Sequence, residues 1–116
     1  MRTLFHAAAL LFPLVEMAHP SEARAEYWSD DDLLTYCRAN DGTLEKGACM
    51  GYIIGIADTL AAGGRIGNSR ACIKGGVSVG QLVDTVTHFL TTAQDDKRGS
   101  ANALVASVLS DAFPCE

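Results

Sequence analysis

The sequence predicts an all-α fold, a small disulfide-stapled antiparallel four-helix bundle, on three observations. Apolar residues recur at i, i+3, i+4 and i+7 in three stretches, each long enough for a core-facing helix. Serine or threonine stands where helices should start, and glycine or proline where they should stop. All four cysteines, Cys37, Cys49, Cys72 and Cys115, fall within residues 26–116. An even number of them in a chain with room for one small core reads as two disulfides.

The chain opens with Met1 and Arg2, an apolar run over 4–15, and a more polar tail ending Ala23-Arg24-Ala25. A basic start, an apolar middle and a small-x-small end make a secretory signal peptide with cleavage after Ala25. The apolar run falls short of the roughly 20 residues that span a bilayer, so residues 26–116 are expected to form a soluble secreted domain. Secretion also fits the cysteines, because disulfides persist in oxidising compartments.

The first helix should begin at Ser29, whose hydroxyl can accept from the backbone at Asp32. Asp30, Asp31 and Asp32 then occupy the first turn, where the helix dipole favours negative charge. Leu33, Leu34 and Cys37 form its apolar side, and Asn40-Asp41-Gly42 signals its end. The second helix is expected from Thr43 to Ala62, closed by Gly63-Gly64. Its centre, Cys49 to Asp58, is the stretch around which the rest should be arranged. There Tyr52, Ile53, Ile56, Ala57 and Leu60 fall on one side, and Gly51 and Gly55 stand one turn apart on an adjacent stripe. Each glycine costs about 1 kcal/mol in a helix, so the pair suggests a backbone packed closely against it.

Residues 65–77 form a long connection containing Gly67, Asn68, Gly75 and Gly76, with Cys72 as its pin. Ser78 and Gln81 make a capping box for the third helix, whose Val79, Leu82, Val83, Val86, Phe89 and Leu90 face the core. Thr91 to Ser100 is a polar, highly charged loop. Ser100 opens the fourth helix, with Ala103, Leu104, Val105, Val108, Leu109 and Ala112 on one face, and Phe113-Pro114-Cys115 ends it.

That helix order leads to a cysteine pairing. In an up-and-down bundle the first helix ends where the second begins, which brings Cys37 to Cys49; the remaining helices then bring Cys72 and Cys115 together at the other end.

Charge and motif content narrow the function. The full chain carries −5, and residues 26–116 hold seven basic against twelve acidic side chains. This disfavours nucleic acid and anionic membranes and suits a basic protein partner. His88 is the sole histidine after residue 25, and no Cys-x-x-Cys occurs, so the ligand spacing of a zinc site is missing. The aspartate run lacks the alternation and distal glutamate of a calcium loop. Gly75-Gly76 lacks the preceding strand and following lysine of a phosphate loop. No nucleophile motif such as Gly-x-Ser-x-Gly appears. The residues imply no cofactor and no enzyme.

The order Cys37, then Cys49-x-Gly51-Tyr52-x-x-Gly55-x-x-Asp58, then Cys72, then Val77-x-x-x-Gln81-Leu82 with Val86 and Leu90, and finally Ala112-Phe113-Pro114-Cys115 resembles the periplasmic immunity proteins of type VI secretion. The resemblance implies a non-enzymatic inhibitor, usually a homodimer, that occludes the active site of a peptidoglycan amidase effector of the cysteine-histidine type. An inhibitor of that kind needs a rigid scaffold with a projecting polar loop, and 91–100 is the candidate, with Gln94, Asp95, Asp96, Lys97 and Arg98 as effector-contacting residues. Two other readings fit a small, secreted, disulfide-bonded helical chain: an acid-stress chaperone of the periplasm, and a structural module of the envelope.

Overall fold

The computed structural model describes residues 27–93 and 99–116. Four helices appear in order: α1 (Asp30–Cys37), α2 (Leu44–Ala61), α3 (Val79–Thr92) and α4 (Ala101–Ala112). Among the described residues there is no named strand, only two isolated bridges. The fold is the all-α four-helix bundle that patterning implies. The signal-peptide reading of residues 1–25 lies outside the described residues, as do 94–98.

Capping chemistry sets most of the boundaries. At α1 the Ser29 hydroxyl accepts from the Asp32 amide (3.1 Å), and the Asp32 carboxylate accepts from both the Ser29 amide (2.9 Å) and its hydroxyl (2.8 Å). Thr43 caps α2 by accepting from the Lys46 amide, and Ser78 with Gln81 forms the expected box at α3. α2 stops in a Schellman motif: the Gly63 amide donates to the Leu60 carbonyl (3.0 Å) and the Gly64 amide to that of Thr59 (2.9 Å). Both glycines are needed there. Gly63 has φ +88°, and a Cβ on Gly64 would lie 2.7 Å from the Thr59 carbonyl oxygen.

Two expectations change. The polar segment was expected to leave the helix at Thr91, yet α3 runs on through Thr92. Within this last turn the Thr91 and Thr92 hydroxyls donate to the carbonyls of Thr87 and His88, at 2.8 to 3.0 Å, so they point back along the helix. The second change concerns Gly51 and Gly55. No backbone packs against them: both are exposed, and a Cβ at either would meet nothing within 4 Å. Their stripe, with Gly47 one turn earlier, is an outer face of α2.

Each helix packs against the other three. Leu33 of α1, Ile53 and Leu60 of α2, Val86 and Leu90 of α3, and Val105 and Leu109 of α4 are sealed from solvent in one core. On α4, Ala101 and Ala106 are buried while Ala103 and Ala112 face out. Two disulfides join Cys37 to Cys49 and Cys72 to Cys115, the pairing to which the helix order led. Beside the first, the Lys46 ammonium donates to the Cys37 carbonyl (2.7 Å) and so satisfies an acceptor that the end of α1 leaves open. Beside the second, the Cys72 amide donates to the Phe113 carbonyl (2.8 Å).

Candidate functional site

The start of α1 is docked on the start of α4, at one root of the connection between α3 and α4. The Ala101 amide donates to the Trp28 carbonyl (3.0 Å), the Asp30 amide to the Gly99 carbonyl (3.4 Å), and Ser29 and Ser100 form an antiparallel bridge. This two-strand clasp fixes Gly99 and Ser100. The other root is the end of α3, where the Ala93 amide donates to the Phe89 carbonyl (2.9 Å). Both ends of the charged segment are therefore held by main-chain bonds. The predicted contact residues between them, Gln94, Asp95, Asp96, Lys97 and Arg98, lie outside the described residues.

An aromatic stack supports the clasp. The Trp28 ring lies 4.6 Å from Tyr36 and 4.8 Å from Tyr52, nearly parallel to both. Such stacking contributes about 0.5–1.5 kcal/mol per pair beyond burial. It binds a residue ahead of α1 to the last turn of α1 and to the middle of α2. Burial raises the Tyr52 hydroxyl above the ordinary phenol range, while the backbone amide of Asn102 acts on it in the opposite direction. Ser100 makes no side-chain hydrogen bond at the start of α4.

Asp30 completes the junction. It is 3% exposed; Oδ1 accepts from the Asp31 amide (2.9 Å) and Oδ2 has no partner. The positive end of α1 offsets part of the cost of burying it. Asp32, in the same turn, is fully exposed, and its carboxyl is held below its usual range by the Ser29 amide and then the Ser29 hydroxyl.

Next to the clasp, a groove of about 320 Å³ runs between α3 and α4. Phe89, Leu104 and Val108 line it, with Gly99 and Ser100 at one end and Asp111 as the only charged residue of its lining among the described residues. Tyr27, 90% exposed, precedes the clasp. Sequence reasoning picked the charged segment and missed its mount. The Cys49–Asp58 stretch was recognised as central, and Tyr52 within it was the available signal.

Among the described residues no cysteine is free, no three potential metal ligands gather, and the His88 side chain is exposed. No helix among them is long and apolar enough to cross a membrane.

No curated protein and no solved structure matches the chain. The model of the family described as Rap1a immunity proteins matches residues 29–115, from the cap of α1 to the last cysteine, and thus all four helices and both disulfides. On that match, the chain belongs to the Rap1a immunity protein family.

Proposed function

We propose that this protein is secreted to the periplasm, where it binds a type VI secretion effector with peptidoglycan amidase activity, occludes its active site and so protects the cell that makes it. The observation that carries this reading is the family match over the whole four-helix domain. The protein acts by binding and performs no chemistry of its own. It works as a homodimer, and the segment between Ala93 and Gly99 enters the cleft of the effector. Gln94, Asp95, Asp96, Lys97 and Arg98 supply donors and acceptors of both signs. Anchored roots favour this role, because a loop held at both ends loses less conformational entropy when it binds.

The test is calorimetry of the oxidised protein against candidate amidases, with hydrolysis of peptidoglycan followed in parallel. Stoichiometric binding that abolishes hydrolysis is expected. Replacing Asp95, Asp96 and Arg98 with alanine should then weaken binding at least about tenfold. Unchanged affinity in that variant would remove the segment from the interface, and absence of binding to every amidase would overturn the reading.

A further inference from the structure

The two disulfides stand in opposite surroundings. Cys37 and Cys49 are 1% and 0% exposed and belong to the core that the helices share, whereas Cys72 is exposed and Cys115 half-buried. Both members of the second pair line an open pocket of about 280 Å³ at the end of α4 far from the clasp. Thiol–disulfide exchange requires a thiolate to reach one of the bonded sulfurs, so its rate follows access, and exposed disulfides are the labile ones. A reductant therefore meets Cys72–Cys115 in the folded protein and Cys37–Cys49 only when the core opens.

The second disulfide is also the principal tie on the connection it holds. Among the described residues, 65–77 has two ties within itself, the Ile66–Ser69 bridge and the Val77 amide on the Lys74 carbonyl (3.4 Å). One main-chain bond joins it to the end of α4, from the Cys72 amide to the Phe113 carbonyl (2.8 Å). It lends the core one buried residue, Ala71, while every other buried residue described belongs to a helix. The helical core has little reason to open when this connection lifts.

Charge selects the sulfur that leaves. Arg70 and Lys74 stand two residues either side of Cys72, whereas Glu116 follows Cys115. Positive neighbours stabilise a thiolate and a negative one opposes it, so the electron pair is better held at Cys72. A deprotonated thiol of the reductant attacks Cys115 Sγ; a mixed disulfide forms there, the Cys72–Cys115 bond breaks, and its electron pair leaves on Cys72 Sγ. The reductant's second thiol, deprotonated in turn, attacks its own sulfur in the mixed disulfide, which releases the Cys115 thiolate and closes the reductant into a cyclic disulfide. We propose that Cys72–Cys115 is a redox-sensitive latch, which a dithiol opens in the folded protein to release 65–77 from the end of α4 while Cys37–Cys49 and the helical core stay intact. This inference does not depend on the amidase reading.

The experiment treats the oxidised protein with dithiothreitol at neutral pH, quenches with iodoacetamide at intervals and locates the label by peptide mass spectrometry. Cys72 and Cys115 should be alkylated at least about tenfold faster than Cys37 and Cys49. Protein trapped with only the first disulfide should keep the wild-type far-UV circular dichroism, with faster hydrogen exchange confined to 65–77 and 113–116. The double variant Cys72→Ala, Cys115→Ala, which is open without reductant, should show the same exchange pattern. Replacing both cations, as Arg70→Gln with Lys74→Gln, should slow opening at least about twofold; an unchanged rate would remove Cys72 as the leaving sulfur. Equal labelling of all four cysteines, earlier labelling of Cys37 and Cys49, or loss of helical signal when the second disulfide opens would overturn the proposal.

Discussion

Asp32 and Tyr52 show how single side chains set the ends of helices here. The Ser29 amide and hydroxyl favour the ionised form of Asp32, so its folded-state pKa lies below that of the unfolded chain. Its contribution is complete above the ordinary carboxylate value of about 4 and is lost as pH falls through the lower, folded value. Urea midpoints of wild type and Asp32→Asn should therefore differ at pH 6 and converge as the pH falls toward 2. At Tyr52, replacement by phenylalanine keeps the stack on Trp28 and removes a hydroxyl on which the Asn102 backbone amide acts. We expect a loss of about 1 kcal/mol by chemical denaturation. Trp28 itself was illegible in the sequence, since a residue ahead of a helix has no place in the helical period and its fold-back is decided by tertiary packing.

At the scale of elements, the starts of α1, α2 and α3 were readable because their caps are local chemistry, completed within three residues. The end of α3 was not. Thr91 and Thr92 are weak helix formers by propensity, yet the helix continues through them while their hydroxyls bond to carbonyls of the preceding turn. The glycines of α2 mislead for a related reason: glycine reports a missing side chain and does not say whether anything fills the space. Since Gly51 and Gly55 have open space and helical backbone, Gly51→Ala and Gly55→Ala should each stabilise the monomer by about 0.5–1 kcal/mol. A rise in melting temperature for each variant is the expected result. A fall for either would mean that this face of α2 is covered in solution.

For the molecule as a whole, cysteine pairing and helix count followed from the sequence, whereas the docking of α1 on α4 did not. An up-and-down bundle would place those two N-termini at opposite ends; α1, at eight residues, is short enough to lie near the start of α4 along its length. The staples should weigh unequally. In the chain-entropy model the 43-residue separation of Cys72 and Cys115 is worth about 4 kcal/mol, against about 3 kcal/mol for the 12 residues between Cys37 and Cys49. Removing each pair as a double alanine variant should lower stability in that order in urea titrations. Loss of the second should also free the tie between Cys72 and Phe113, visible as faster hydrogen exchange at the Cys72 amide.

The connectivity of those staples bears on how the chain matures. Each cysteine bonds to the next one along, first with second and third with fourth, and neither ring threads or encloses the other. When a polypeptide is delivered N-terminus first into an oxidising compartment, thiols become available in order, and the earliest partner for each odd cysteine is its native one. Under such delivery, order of arrival alone favours the native pairs, which crossed connectivities would not share.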